Sequence, residues 1–153
     1  MKLLSEKNHP PELVKNTADH LSPERRSELM ARVKGKDTIP EKKVRSWLHR
    51  NGYRFRLYRK DLPGSPDIVM SKYRMVIFVH GCFWHRHQGC RKTTTPKTRV
   101  DFWETKFTQN IERDARVQEK LKSLGWRVVV VWQCETEKPD VLDETMRKRL
   151  RML

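Results

Sequence analysis

The segment that most constrains this chain is Val76-Ile77-Phe78-Val79-His80-Gly81-Cys82-Phe83-Trp84-His85-Arg86-His87-Gln88-Gly89-Cys90. Its first part is an unbroken apolar run of β-branched and aromatic residues, which reads as a strand buried on both faces. We therefore predict a central strand over residues 74–80. The run ends on a histidine and a glycine, then opens into a loop dense in Cys, His and aromatic side chains. Core-forming segments do not normally end this way. Thiols and imidazoles together point to a metal. Two adjacent large aromatics in a polar loop point to a wedge or a stacking surface.

The flanking sequence supplies the rest of an α/β layer. Residues 1–21 are polar, with Pro10-Pro11 and no clear periodicity, and read as a mobile tail or a loosely held arm. Ser22 followed by Pro23 has the form of a helix N-cap and first position, with the helix running to about residue 33. Thr38-Ile39-Pro40-Glu41 has the form of a capping box opening a second helix. Ile39, Val44, Trp47 and Leu48 supply its apolar face, and Asn51-Gly52 stop it. Residues 53–58 alternate apolar and basic until the last position, as a half-buried strand with a basic outer face does. Leu62-Pro63-Gly64-Ser65-Pro66 reads as a turn, residues 67–70 as a short strand and Ser71-Lys72 as another turn. A long helix is expected over residues 99–124, with an apolar stripe of Trp103, Phe107, Ile111, Val117, Leu121 and Leu124 interrupted at Asp114. A strand over residues 126–132 and a terminal helix complete the chain. The order predicts a mixed central sheet flanked by helices, in a single domain over residues 22–153.

Charge narrows the partners. The chain has 34 Lys+Arg against 19 Asp+Glu in 153 residues, a net charge of +15. Such an excess favours a polyanion, nucleic acid before an anionic membrane. No run of 18 apolar residues is present and the first residues lack a secretory signal, so a cytoplasmic protein without a membrane segment is expected. Three cysteines are an odd count for a disulfide framework and fit metal ligands or free thiols.

Cys82, His87 and Cys90 have the spacing C-x4-H-x2-C, and Cys134 lies just past a strand expected to neighbour the one that leads into Cys82. Three thiolates and one imidazole make a closed tetrahedral Zn²⁺ site, structural rather than catalytic. By spacing alone His85 could replace His87. A second group gathers around Asp67, which starts one strand while His80 ends the next. A carboxylate there could hold Mg²⁺, which takes oxygen ligands and polarises a phosphate for in-line attack by water. Glu41, His85 and Asp114 complete this set. Glu41 also reads as the capping-box residue. Asp114 on an apolar stripe would be costly unless paired, and a histidine is a natural partner.

At this point the chain resembles the very-short-patch repair (Vsr) endonucleases, strand-specific nickers of T:G mismatched DNA. The resemblance covers about residues 22–135. It rests on Leu62-Pro63-Gly64-Ser65-Pro66-Asp67, on the run from Val76 to His85, on Asp101-Phe102-Trp103, on Asn110-Ile111-Glu112-Arg113-Asp114, on Leu124-Gly125-Trp126-Arg127-Val128, and on Trp132-Gln133-Cys134. It implies a restriction-endonuclease-like core of the PD-(D/E)xK type, with Phe78-Val79-His80 in place of the usual (D/E)xK segment. It further implies that Asp67 holds Mg²⁺ together with the backbone carbonyl of Val79, where a relative carries Thr. His80, His85 and Glu41 then fall on active-site residues, with His85 the general acid/base oriented by Asp114. Cys82, His87, Cys90 and Cys134 fall on the zinc ligands, which favours His87. Phe83, Trp84 and Trp103 fall on an intercalating wedge, and Met30 of the first helix on an arm in the opposite groove. This chain has one residue more between His87 and Cys90 and differs over residues 93–97, so the preferred flanking bases do not carry over.

The resulting expectation is a monomeric, Mg²⁺-dependent, Zn²⁺-stabilised repair endonuclease that nicks beside the T of a T:G mismatch left by deamination of 5-methylcytosine. Its expected partners are mismatched duplex DNA, mismatch-repair proteins and a functionally linked cytosine-5 methyltransferase, in the nucleoid of the cytoplasm. Two rivals stand beside it: a restriction-type enzyme that cuts unmismatched duplex, and a non-catalytic zinc-stabilised DNA-binding module.

Overall fold

The computed structural model describes residues 22–33 and 35–151. The chain divides into two compact units, Met1–Val33 and Lys34–Leu153. The expected tail over residues 1–21 lies outside the described residues. In the first unit, α1 (Pro23–Ala31) starts as its sequence dictates. The Ser22 hydroxyl accepts the Arg25 N–H at 3.2 Å, satisfying one of the unpaired donors of the first turn. The helix ends two residues sooner than expected, and Leu29 and Val33 are exposed. Met30 lies on this helix, with its side chain outside the described residues.

The second unit contains α2 (Ile39–Arg50), β1 (Arg56–Leu57), β2 (Ile68–Met70), β3 (Met75–His80), α3 (Val100–Ser123), β4 (Arg127–Trp132) and α4 (Pro139–Leu150). The sheet order is β1-β2-β3-β4. The first three strands form an antiparallel meander. β4 returns parallel to β3 after the crossover through α3, pairing His80 with Trp132. A parallel neighbour requires such a crossover, and a helix is the usual one.

The period-two alternation of the strands sorts the two faces. Met75 and Ile77 of β3, with Ile68 and Met70 of β2 and Val129 and Val131 of β4, pack against Val44, Trp47 and Leu48 of α2 and Leu142, Met146 and Leu150 of α4. Val76 and Phe78 point the other way, with Val69, and meet Leu121 and Val117 of α3. Burying each of these large side chains contributes about 1.5–3 kcal/mol. His80 continues the second series and so emerges on the side of the sheet that α3 covers. The fold is the mixed-sheet α/β layer that the sequence predicts.

Four expectations need correction. The strand over residues 53–58 shrinks to Arg56–Leu57, because Tyr58 takes a left-handed backbone (φ 49°) that no strand can continue. Leu57 is consequently 39% exposed. Ile39 is 72% exposed rather than part of the α2 face, since it sits at the first helical position and faces away from the sheet. Arg74 does not start β3. It is left-handed (φ 45°), and its guanidinium instead caps the end of α3 through the Leu124 carbonyl at 2.7 Å. On α3, Ile111 and Leu124 are exposed while Asn110 is buried. The inward line is Trp103, Phe107, Asn110, Asp114, Val117 and Leu121, a 4-3-4-3-4 spacing on one helix face.

Candidate active site and metal cluster

The loop after β3 is wound by its own backbone. The N–H groups of His85, His87, Cys90 and Thr93 bond back to the carbonyls of Gly81, Cys82, His87 and Cys90 at 3.0–3.3 Å. The Thr93 hydroxyl lies 3.1 Å from the Cys82 carbonyl and 2.7 Å from that of His87. This winding turns His85 and His87 in different directions and divides the loop's chemistry into two clusters.

In the first, the ligand atoms of Cys82, His87, Cys90 and Cys134 all lie within 4.8 Å of one another. The His87 Nδ1 is 3.4 Å from the Cys134 Sγ and 3.7 Å from the Cys82 Sγ. Tetrahedral Zn–S and Zn–N bonds require edges of about 3.6 Å, and the two distances from His87 lie close to that value, so the donor set is of a kind that could hold such an ion. Burial and the sulfurs of Cys82 and Cys90 push the Cys134 thiol up to about 12, the direction expected where thiols crowd together. The His87 ring stacks on Trp132 with centroids 4.2 Å apart and planes 7° apart. His87, not His85, is the imidazole of this cluster.

In the second, His85 Nδ1 lies 2.5 Å from Asp114 Oδ2. The His85 and His80 rings stack, with centroids 3.8 Å apart and an angle of 7°. Burial pushes the buried His80 down to about 4, with the charge of His85 acting in the same direction. His80 is therefore a neutral imidazole at ordinary pH. Burial alone would raise Asp114, yet the hydrogen bond and charge of His85 outweigh it and hold the carboxyl below its usual range. Asp114 thus stays ionised and accepts a hydrogen bond from the His85 Nδ1–H, and among the described residues no partner is bonded to the His85 Nε2.

Asp67 sits just before β2. Its Oδ2 accepts the Val79 backbone N–H at 2.7 Å, which sets the carboxylate beside the backbone of β3. Burial pushes this carboxyl up to about 6, against the pull of the Val79 N–H, and the charge of Glu41 adds to the rise. Among the described residues no side-chain donor bonds to it. A half-buried carboxylate with no side chain bonded to it, on which the charges of His85 and Arg45 do not offset the burial, suits a site for a hard cation such as Mg²⁺. Glu41 is 3% exposed. It accepts from the Asp37 N–H, the Thr38 hydroxyl, Arg45 and the Tyr58 hydroxyl. The capping and site readings of Glu41 are therefore compatible.

Phe83 and Trp84 are half-buried and lean on Trp103, with centroids 5.6 and 5.9 Å away. Trp103 is only 6% exposed and packs on Phe107 as well. The three aromatics form one cluster with Trp103 at its base. Sequence reasoning missed Asn110, whose Nδ2 donates to the Trp84 carbonyl at 3.0 Å. One helical turn later, Asp114 holds His85. α3 thus grips two consecutive loop residues with two polar side chains on its inward line. The heptad-like spacing from Trp103 was the available signal. Arg86 was also missed: it lies 4.0 Å over the Phe107 ring and bonds the Thr94 carbonyl and Thr95 hydroxyl. No signal marked it beyond its place in the loop.

Comparison with known proteins places these features in context. The family described as DNA mismatch endonuclease Vsr matches residues 18–92. A protein described as Type II nicking enzyme V.XorIIP, from Xanthomonas oryzae pv. oryzae, is 56% identical over 132 residues, covering 86% of this chain and 96% of that protein. One described as DNA mismatch endonuclease Vsr, from Escherichia coli, is 44% identical over 126 residues, 82% of this chain and 80% of that protein. Type II nicking enzyme V.NmeAIP of Neisseria meningitidis is 41% identical over 133 residues, 87% of this chain and 94% of that protein.

Proposed function

The chain belongs to the Vsr family of DNA mismatch endonucleases, and from that premise we propose that this DNA endonuclease nicks one strand beside the T of a T:G mismatch by Mg²⁺-dependent phosphodiester hydrolysis. One observation carries the reading: the His85–Asp114 pair, stacked on a neutral His80, at the end of the strand whose backbone holds Asp67. The core is of the restriction-endonuclease type, with Phe78-Val79-His80 in place of the usual (D/E)xK segment. Two relatives carry the words "nicking enzyme" in their descriptions, in keeping with a cut in one strand.

Asp67 and the carbonyl of Val79 would hold Mg²⁺, which when bound supplies positive charge to the phosphate and its attacking water. His85 Nε2 takes the proton of that water as its oxygen bonds to phosphorus and the P–O bond to the departing strand breaks, the leaving oxygen taking a proton from solvent, and Asp114 stabilises the imidazolium that results. His80 presents a neutral ring N–H to the phosphate. Glu41 orients the water. Cys82, His87, Cys90 and Cys134 hold structural Zn²⁺ and pin the loop to the end of β4, so that metal loading and the placement of His85 are linked.

Phe83 and Trp84, backed by Trp103, enter the stack beside the mismatch. Opening a step costs a few kcal/mol, less at a wobble pair, and each stacked base returns about 1–3 kcal/mol. The nick lets a polymerase replace T by C, restoring cytosine after deamination of its 5-methyl form. This assigns the protein to the cytoplasm, working as a monomer downstream of a cytosine-5 methyltransferase and beside mismatch-repair proteins. The net charge of +15 supplies phosphate contacts, and affinity should fall with salt with a slope of about 0.9 per phosphate neutralised.

The test is a strand-labelled nicking assay in Mg²⁺ on T:G, T:A and C:G duplexes with varied flanks. A cut confined to the T strand of T:G supports the proposal. Equal cutting of T:A would favour a restriction-type enzyme, and binding without cutting a non-catalytic module.

A further inference from the structure

We propose that Arg45 and Tyr58 are positioning residues that lock the Glu41 carboxylate in the catalytic centre, occupying its Oε2 and leaving its Oε1 for the reacting water. The inference rests on the reading of Glu41 as an active-site acid and extends it to two residues outside the motifs that suggested it.

The geometry distributes the work between the two oxygens. Oε2 accepts three donors: the Asp37 N–H at 3.0 Å, Arg45 Nη2 at 2.8 Å and the Tyr58 O–H at 2.5 Å. Among the described residues Oε1 accepts only the Thr38 hydroxyl, at 3.0 Å. A carboxylate offers roughly four lone-pair sites. Oε2 is full, so the remaining capacity lies on Oε1. Capping α2 requires no more than the Asp37 and Thr38 contacts. Arg45 and Tyr58 exceed that need.

Both residues are themselves fixed. The Arg45 side chain is 14% exposed, and its second nitrogen pairs with Asp37 at 2.6 Å. Arg45 Nη2 also donates to the Tyr58 oxygen. That oxygen accepts the Asp37 N–H at 2.8 Å as well. Lys36 lies 4.8 Å over one side of the Tyr58 ring, and the Arg45 guanidinium lies 5.3 Å from the ring centre. The Tyr58 backbone is left-handed (φ 49°), which a bulky aromatic adopts only under constraint. That conformation ends β1 and delivers the hydroxyl to Glu41. Burial and the hydrogen bond to Glu41 push the phenol up to about 12, so the hydroxyl keeps its proton and acts as a permanent donor. The charge of Glu41 is felt at Asp67, which links the network to the metal-holding carboxylate.

The test compares Tyr58→Phe, Glu41→Gln and the double variant by single-turnover nicking at saturating mismatched DNA over a range of Mg²⁺, with melting temperature and metal-free DNA affinity measured alongside. Tyr58→Phe keeps the ring and removes one hydroxyl. We expect near-native melting and affinity, a nicking rate lower by about tenfold or more, as for residues that orient a metal or catalytic group, and no further loss in the double variant beyond Glu41→Gln. Arg45→Lys, which keeps the charge but loses the fork, should show the same pattern. A full rate for Tyr58→Phe beside a slow Glu41→Gln would overturn the inference and leave the Glu41 reading intact. A full rate for Glu41→Gln would remove the Glu41 reading and this inference with it. Additive losses, or losses that merely follow melting temperature, would also overturn it.

Discussion

Replacing Asp67 by Asn should destroy nicking and at the same time make the protein harder to unfold. The Asp67 carboxyl is pushed from 3.8 up to about 6, chiefly by burial. A group whose folded pKa is raised lends stability below its unfolded pKa, and that stability is lost as pH rises through the folded value. At neutral pH the ionised carboxylate therefore costs about 3 kcal/mol relative to its protonated form, at 1.36 kcal/mol per pKa unit. Asparagine has nearly the same shape, and its oxygen can still accept the Val79 N–H. Because some of the penalty is relieved by water in the wild type, we expect a gain of about 2–3 kcal/mol. For a chain of this size that is a rise in Tm of roughly 4–12 °C. The measurement is scanning calorimetry of Zn²⁺-loaded protein without added Mg²⁺, at intervals from pH 4 to pH 8. The gain should be largest above pH 6 and shrink toward pH 4, where both proteins are uncharged at this position. Added Mg²⁺ should stabilise the wild type and not the variant. A variant less stable than wild type at neutral pH, or a difference independent of pH, would refute the argument.

Three other outcomes are expected. Asp114→Asn should keep DNA affinity and lower the single-turnover nicking rate by about 10²–10⁴-fold, because the His85 tautomer and charge are no longer fixed; a rate within a few-fold of wild type would show that His85 is not the proton carrier. Removing metal from the Cys82, His87, Cys90 and Cys134 cluster should lower Tm by roughly 10 °C or more and abolish nicking, with one Zn²⁺ released per chain in a chromogenic chelator assay; unchanged melting would argue against a structural ion. Gly64→Ala should lower Tm by roughly 5–15 °C, since Gly64 has φ +72° and an added Cβ would lie 2.4 Å from Val117 Cγ1; melting close to wild type would show that the turn yields without cost.

Much of the layer was legible because its signals are local. The run from Val76 to His80 has the apolar continuity of a doubly covered strand, and it is one, at 0–8% exposure from Val76 to Phe78. Thr38 and Glu41 announced the start of α2, and the structure pairs them. Where the sequence misled, a tertiary contact had overridden a local pattern. Residues 53–57 alternate like a strand, but the demand for the Tyr58 hydroxyl at Glu41 turns the chain out of the sheet. Ile111 and Leu124 fit an apolar stripe by composition, but the helix rotates so that Asn110 and Asp114 face inward, where each has a partner in the loop. In the site, spacing left His85 and His87 interchangeable, because only the fold of the loop decides which ring meets the sulfurs. Arg45 and Tyr58 carried no signal, since a salt-bridged arginine and a strand-end tyrosine are ordinary features until the chain folds.

The most direct test of the account is a side-by-side Mg²⁺ assay of wild type and His85→Ala on a T:G duplex with each strand separately labelled. The wild type should nick the T strand alone, and the variant should bind the duplex but leave both strands intact. Nicking by His85→Ala at the wild-type rate, or cutting of both strands by the wild type, would contradict it.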